Sequence, residues 1–515
     1  MDKPLIAAGI DIGSNAIKML IAELAGPGQL RILEDVKLTS PIGDDTFTHG
    51  QIHSKATFEV CRAMKQMSQL MKDYKVKTYR ACATSGVREA SNRGYFLDNL
   101  RRYTDMDIEL VDSSVERYLT YVGLNIGVEQ MPQLREEGLL VVEIGSAGVQ
   151  LSVYASGRLQ FSEYVRIGIL KLKEVLESLR GESLHYSNVL QQYIESQLDM
   201  LRRRMSSYTI NHLIVLGGEA STLANKYGER GTSSVGSLPL RSIARTTLQR
   251  HLFEWMQAGT AELSHKFHID EERASQLIPT AIIMSELLKA TAAERLLLPD
   301  VSLRHGVLHE MLLSAHDKSA SLQALYIEDM TASAFHAAER VQLDMEHSRQ
   351  VRRLASKLFD RLNSLFRMDP SRKLCLELAA ILHDIGKTIS QEGHAANSYH
   401  MIKAMDWLGL SEKDKELVAS MALYHPRSAQ VPLRPDMSEQ EQLVLSKLTS
   451  ILKLADALDI AHQQKVKDFT IHIKKGTYIT MIPTYEGSLE LERWAFQHES
   501  SFFEQVSGYP ILLKG

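Results

Sequence analysis

The chain has 515 residues, a formal net charge of −4, 44% apolar residues and 24% charged residues. That length allows about three or four domains, and the balance excludes a disordered chain and gives no global basic field for gripping nucleic acid. Three scattered cysteines (Cys61, Cys82, Cys375) argue against a disulfide framework and fit a reducing compartment.

No run of about 18 apolar residues exists, so no membrane span is expected. The stretch 138–155 comes nearest, but it carries Glu143 and Gln150 and reads better as strand–turn–strand. The N-terminus shows no basic segment followed by an apolar one. The expectation is a cytoplasmic protein without a signal peptide.

In chain order, 4–10, 17–24 and 30–38 read as strands. Between the first two lies Gly9-Ile-Asp-Ile-Gly-Ser14, followed by Asn15. Gly13 lets the backbone turn and approach a ligand, and successive N–H groups of such a turn can cradle an anion. Asp11, at the strand end, can hold a metal ion or orient a water. Residues 51–74 form a helix with Val60, Met64, Met67 and Met71 on one face, and 77–83 a short strand. That strand runs into Ala83-Thr-Ser-Gly-Val-Arg-Glu-Ala-Ser-Asn92. Thr84 and Ser85 can donate hydrogen bonds to an oxyanion there and Arg88 adds a charge; the same residues also suit an ordinary capped helix start. Ile108–Val111 reads as a strand, and Asp112-Ser-Ser114 caps a helix carrying Glu116.

Residues 137–165 read as three strands echoing 4–38. The match pairs 9–22 with 141–154, so that Asp11 aligns with Glu143, Gly13 with Gly145 and Ser14 with Ser146. A duplicated hairpin unit is the most informative global feature of the sequence. Helices are expected at about 168–179 and 186–207, the latter ending in a solvated Arg202-Arg203-Arg204 cluster. His212–Leu216 is a strand, and Gly217-Gly218 opens a helix in a phosphate-type turn. Helical segments should run from about 240 to 289, followed by an irregular stretch at 299–306 and a helix ending near 315. The polar stretch His316–Ser321 marks the main domain boundary. From 323 to 465 the pattern is nearly all helical. Strands are expected again at 469–474, 477–483 and 488–491, the first two joined by a Lys474-Lys475-Gly476 turn.

Taken together, Asp-Ile-Gly-Ser-Asn at 11–15, Ala-Thr-Ser-x-x-Arg-x-Ala-x-Asn at 83–92, Glu116, the turn at 143–148, Gly217-Gly218 and Ser302-Leu-Arg304-x-Gly306 resemble the exopolyphosphatase/guanosine-pentaphosphate phosphatase family. The resemblance implies an α/β plus all-α chain. Two ribonuclease-H-like halves of the actin, sugar kinase and chaperone ATPase superfamily (1–127 and 128–316) would precede a helical HD-type domain (322–465) and a small α/β C-terminal region (466–515). It implies release of a terminal phosphate from polyphosphate or pppGpp in the cleft between the halves, with Mg²⁺. The 11–15 and 143–148 loops would hold phosphate, with Gly13, Ser14, Asn15, Thr84, Ser85, Gly145, Ser146, Gly217 and Gly218 lining the site. Arg88 would contact the phosphate, Glu116 would activate the attacking water, and Asp11 and Glu143 would stand near the metal. A homodimer is expected on the same ground, with no nucleic-acid or membrane partner.

The second hairpin departs from the family pattern. Where the family has Asp-Ile-Gly-Gly-Gly-Ser-Thr-Glu, this chain has Glu143-Ile-Gly-Ser-Ala-Gly-Val-Gln150, which removes two hydroxyls and replaces a carboxylate by a neutral amide. The helical domain instead carries His347, His383-Asp384 and Asp456, the ligand set of HD phosphohydrolases: two imidazoles and two carboxylates for a divalent cation such as Mn²⁺ or Mg²⁺. Lys387 could meet a phosphate. His394, His400 and His425 are candidates for a second cation or for substrate contacts and, taken singly, read as surface histidines. Two further readings therefore stand beside the cleft phosphatase: a metal-dependent HD phosphohydrolase with a degenerate cleft, and a non-catalytic sensor of nucleotide or polyphosphate.

Overall fold

The structure, a computed structural model, describes residues 5–26, 29–145, 148–169, 172, 186–231, 240–258, 260–315, 320–427, 430–474 and 476–514. Two compact units divide the chain, one of Met1–Leu325 with Trp407–Gly409 and the other of Tyr326–Asp406 with Leu410–Gly515.

The first unit contains two sheets. In the five-stranded sheet, β1 (Ile6–Ile12), β2 (Ala16–Gly26), β3 (Gln29–Thr39), β4 (Thr78–Ala83) and β5 (Glu109–Leu110) lie in the order β3-β2-β1-β4-β5. The seven-stranded sheet takes β6 (Leu139–Ile144), β7 (Val149–Ala155), β8 (Arg158–Val165), β9 (His212–Leu216), β10 (Glu229–Arg230), β11 (Leu240–Ala244) and β12 (Arg295–Pro299) in the order β10-β11-β12-β9-β6-β7-β8. Each sheet starts with an antiparallel three-strand meander whose first strand then pairs in parallel with a later one: β1 with β4, and β6 with β9.

The two meanders share their register. Asp11 faces Lys18 across the first hairpin, and Glu143 faces Gln150 across the second. Each turn is closed by the same backbone bond, Gly13 N–H to the Ala16 carbonyl at 3.1 Å and Gly145 N–H to the Gly148 carbonyl at 2.9 Å. Because a one-residue slip would turn every side chain to the opposite face, the shared register carries the duplication further than the Ile-Gly-Ser match alone.

Apolar side chains hold each sheet against its helices. Val60, Met64, Met67 and Met71 of helix Ser54–Asp73 are buried in one core with Ile10, Ile12 and Met19, as their helical spacing predicts. The second sheet buries Val142, Leu151 and Val215 against Leu190, Ile194, Leu198 and Leu287. Helix Leu303–Ala315 packs against helix Ser113–Gly127 and β1. Gly306 makes this crossing possible, since a Cβ there would stand 1.7 Å from the Leu119 carbonyl oxygen.

Several local expectations are corrected. A helix at Ile42–His49 precedes the one expected. The stretch from 240 begins as a strand, and the irregular segment near 299 follows another; β11 and β12 pair with each other, and β12 also pairs with β9. Tertiary pairing overrides the weak local preference of Leu-Arg-Ser-Ile-Ala. The arginine cluster is not a wholly solvated helix end. Arg202 pairs with buried Glu286, and Arg204 pairs with Glu163 at 2.8 Å and lies 3.8 Å from the Phe161 ring centre. Ser146, Lys475, 316–319 and most of the helix expected at 168–179 lie outside the described residues.

In the second unit, helix Met345–Phe366 packs on Arg372–Leu382 and on Glu439–Ala457; helices His394–Ala404 and Glu412–Tyr424 pack on each other. Ser438 and Glu441 form a reciprocal capping box at the start of Glu439–Ala457. The chain ends in a three-stranded sheet of β13 (Val466–Lys474), β14 (Tyr478–Tyr485) and β15 (Ile511–Leu513), with helix Glu490–Ser507 before the last strand. The strand expected at 488–491 is instead the entry to that helix. The alternation Ser-Leu-Glu-Leu looks extended over four residues, but Ala495, Phe496, Glu499 and Phe503 follow helical spacing and are buried. Among the described residues no helix is long and apolar enough to cross a membrane.

Candidate functional site

In the first unit, the hairpin turns and three carboxylates form the candidate cleft. The β1–β2 turn is tied to its neighbours by backbone bonds: Gly43 N–H donates to the Ser14 carbonyl at 2.8 Å, and Ser40 N–H to the Asn15 carbonyl at 3.1 Å. Ser14 is buried with its Oγ 3.2 Å from Ser85 Oγ, while Asn15 is exposed. Thr84 does not cap the short helix Ser85–Arg88; its hydroxyl reaches Asp11 Oδ1 at 3.4 Å. Arg88 donates to the Val111 carbonyl at 2.8 Å and to Glu116 Oε2 at 3.3 Å. Three side-chain pairs thus line this region: Asp11 with Thr84, Ser14 with Ser85, and Arg88 with Glu116.

The second hairpin faces the Glu116 helix. Thr120, one turn after Glu116, donates to Glu143 Oε1 at 3.4 Å. Gln150 donates its amide N–H to Ser162 at 2.5 Å. Arg117, Thr120, Glu143, Gln150 and Ser152 line one cavity; Thr120 carries no distinct motif and is recognisable only as the next turn of the Glu116 helix. Gly217 has φ +133°, and a Cβ there would stand 2.5 Å from the Ile144 carbonyl oxygen, so this turn closes on the end of β6 only as glycine. Helix Gly218–Tyr227 follows directly.

Electrostatically, the cleft strains its carboxylates. Burial raises the Glu143 carboxyl to about 7, with the Glu116 charge adding to it and Arg117 opposing. Glu116 is also raised, by burial first, against the opposing charge of Arg88. Asp11 is raised by burial against Lys18 and Arg304. Three acids held above their ordinary values in one place favour protonation or a neighbouring cation.

The second unit gathers a different donor set. His347 lies in the first turn of its helix, whose N-cap Asp344 accepts from His347 N–H at 3.1 Å. His383 is the C-cap of Arg372–Leu382, where the chain leaves the helix, so His383 and Asp384 turn towards one centre rather than diverging as they would mid-helix. His347 Nε2 is 3.3 Å and His383 Nε2 3.6 Å from Asp456 Oδ1; neither nitrogen has a hydrogen-bond partner of acceptable geometry, and both rings are buried. Asp459, which the sequence did not single out, accepts from His347 Nδ1 at 2.9 Å. Burial opposes charge on the His347 ring, yet Asp456 and Asp459 outweigh it and raise its pKa to about 9. Burial also opposes the Asp384 carboxylate, but His383, His425 and Lys387 hold it well below the usual range.

His425 is not a surface histidine: it is 4% exposed, and its Nε2 is 3.6 Å from Asp384 Oδ1. His394, half-buried, reaches the same oxygen at 3.6 Å. His400 is exposed and stays apart. The missed signal is a repeated local pattern, Ala380-x-x-His383, Gln391-x-x-His394 and Ala422-x-x-His425, in which each ring bonds the carbonyl three residues back. Among the described residues, three groups of donor atoms lie within 4.8 Å of one another: Asp45/His49/His53, His347/His383/Asp384 and Asp384/His394/His425. Asp11 and Glu143 belong to none of them.

The duplicated meander sheets, with a carboxylate–arginine cleft between their turns, define the class as an actin-like pair of sheet-and-helix domains followed by a helical region. The Ppx/GppA phosphatase family pattern matches residues 20–315, and that of Ppx/GppA phosphatase domain III matches 329–497. The chain belongs to the Ppx/GppA phosphatase family and is a phosphohydrolase by that membership. A guanosine-5'-triphosphate,3'-diphosphate pyrophosphatase of Aeromonas hydrophila is 23% identical over 525 residues, covering 99% of each chain. The corresponding protein of Aliivibrio fischeri is 21% identical, covering 95% of each. Among solved structures, an exopolyphosphatase from Cytophaga hutchinsonii shares the fold with a TM-score of 0.52 at 19% identity, covering 60% of this chain and 98% of its own. The Aquifex aeolicus family member does so with a TM-score of 0.50 at 19% identity, covering 61% and 99%.

Proposed function

We propose that the first unit hydrolyses the terminal phosphoanhydride of inorganic polyphosphate or of guanosine pentaphosphate. The observation that carries this reading is Glu116, raised above its ordinary value and bonded to Arg88 beside the duplicated turns. A carboxylate lifted towards neutral pH is a better base at that pH. Glu116 orients a water and accepts its proton as the water oxygen bonds to the terminal phosphorus; the bridging P–O bond breaks and the shortened chain leaves on that oxygen. Arg88 and the hydroxyls of Ser14, Thr84 and Ser85 hold phosphoryl oxygens, with the turns at Gly13, Gly145 and Gly217 bringing backbone N–H groups close. The relatives' names supply the two substrate classes.

Mg²⁺ usually rests on one or two carboxylates and the substrate's own phosphates. Asp11 and Glu143, both disfavoured as bare carboxylates by burial, fit that role and would hold it. The cation would neutralise charge on the phosphoryl oxygens. In Glu116→Ala, Mg²⁺-dependent phosphate release from polyphosphate and guanosine pentaphosphate should collapse; undiminished release refutes the cleft mechanism.

A second reading is favoured by the unpartnered Nε2 atoms of buried His347 and His383, both aimed towards Asp456. Here residues 322–465 are an HD-type domain holding a divalent cation at His347, His383, Asp384 and Asp456. Asp384→Ala should lose that metal, and full metal content in this variant rules the reading out.

A further inference from the structure

Tyr164 belongs to a row of cross-strand partners in the second sheet. Glu143 on β6 faces Gln150 on β7, and Gln150 faces Tyr164 on β8. Residues directly opposed across neighbouring strands share one face of a sheet. Tyr164 therefore stands on the face that presents Glu143 and Gln150 to the cavity shared with Arg117 and Thr120. The Arg117 guanidinium carbon lies 6.0 Å from the centre of the Tyr164 ring. The charges of Glu89, Arg117, Arg88 and Glu116 all act on its phenol.

The ring ends on the turn of the second hairpin. A Cβ built at Gly148 would stand 2.3 Å from Tyr164 Cζ, 2.4 Å from Oη and 2.6 Å from Cε2. The polar end of the ring thus fills the space that a side chain at 148 would take. Position 148 is where the family pattern has serine and this chain has glycine. Serine at 148 and tyrosine at 164 cannot coexist without a shift, so the two residues form one replacement. The hairpin gives up a hydroxyl of its own and receives one from the neighbouring strand.

That hydroxyl is free to donate. Among the described residues it has no hydrogen-bond partner, and Tyr164 is 37% exposed. Burial first, and then the charge of Glu89, raises the phenol above its ordinary value against the opposing Arg117 and Arg88. The O–H is therefore kept at neutral pH, beside two guanidinium groups that draw an anion towards it.

We propose that Tyr164 is a substrate-contacting residue of the first unit, its Oη donating a hydrogen bond to a non-bridging oxygen of the terminal phosphate in place of the serine hydroxyl absent at 148. The inference rests on the cleft reading of function. It gives the second hairpin a donor from the side chain of β8, and with it a grip on the phosphate that Glu116 and its water attack.

The test uses the full chain with Mg²⁺ and follows phosphate release from polyphosphate and from guanosine pentaphosphate. Tyr164→Phe keeps the ring on the turn and removes only the hydroxyl. Its kcat/KM should fall roughly 10–100-fold, the loss of one hydrogen bond to a charged group, with an unchanged denaturant midpoint. Tyr164→Ala empties the space without supplying a donor and should lose at least as much. Adding Gly148→Ser to Tyr164→Ala returns a hydroxyl to the turn and should recover roughly tenfold over Tyr164→Ala alone. A ring that served only as packing would gain nothing from that second substitution. Glu116→Ala is assayed in parallel. Where Glu116→Ala abolishes release, the inference alone is overturned by a Tyr164→Phe chain that matches the parent, or by a double variant no better than Tyr164→Ala. A Tyr164→Ala chain faster than the parent also overturns it and makes the ring an obstruction of the turn. If the parent releases no phosphate, or Glu116→Ala releases it as fast as the parent, the cleft reading fails and the inference falls with it.

Discussion

The cleft of the first unit and the histidine centre of the second are built by opposite means. In the cleft, geometry lies in the backbone: two hairpins in the same register, closed by equivalent N–H to carbonyl bonds, with glycine where a side chain cannot fit. Its side chains can drift, and Gln150 stands in the second hairpin where Lys18 stands in the first, without moving the turn. In the histidine centre geometry lies in side chains, each ring aimed by one bond to an acceptor. Backbone-built sites survive sequence change and lose chemistry one group at a time; side-chain-built sites depend on every member of the set.

The largest expected effect is on the chemistry of the cleft. Glu116→Ala should reduce phosphate release by roughly 10²–10⁴-fold, the usual contribution of a general base, while leaving metal content of the second unit unchanged. Loss of release in Asp384→Asn with Glu116→Ala fully active would reverse the comparison.

Next is Gly217→Ala, which adds a Cβ 2.5 Å from the Ile144 carbonyl oxygen at a residue with φ +133°. It should destabilise the first unit by roughly 2–4 kcal/mol, read from denaturant midpoints, whereas Gln150→Ala should cost less. Equal losses would show that the cleft is not backbone-built. In the other region, Asp459→Asn weakens the acceptor that orients His347. Mn²⁺ affinity should fall about 10–100-fold, and calorimetric titration measures it.

The smallest effect is a pH slope. The Glu143 carboxyl is raised from 4.5 to about 7, so ionisation is disfavoured in the folded chain, and stability falls as pH rises through that window. Because Glu143 is partly exposed, Glu143→Gln should gain roughly 1–2 kcal/mol over the parent at pH 8 and nothing at pH 4. Denaturant midpoints without divalent cations measure this, and equal gains at both pH values would exclude a perturbed carboxyl.

How much was legible in the sequence follows the same division. The duplicated hairpin could be read because turn and register are encoded locally, by a carboxylate, a glycine and alternating apolar residues within about fourteen positions. Strands β11 and β12 could not, because each is five residues long and is fixed by partners far along the chain. The histidines were the hardest. His347, His383, Asp384 and Asp456 came from a resemblance, but His394 and His425 looked like solitary surface residues, and only the packing of helices His394–Ala404 and Glu412–Tyr424 brings them to Asp384.

The carbonyls that fix His383 and His425 belong to the last turns of helices Arg372–Leu382 and Glu412–Tyr424, where main-chain acceptors have no intrahelical partner. Each ring therefore closes its helix end as well as facing the Asp384 carboxylate. Fraying of either helix end and release of its imidazole are one event, so thermal unfolding of that end and loss of a bound cation should share a midpoint. Alanine at either position removes both the cap and the imidazole, whereas asparagine can keep the helix closed and remove only the imidazole.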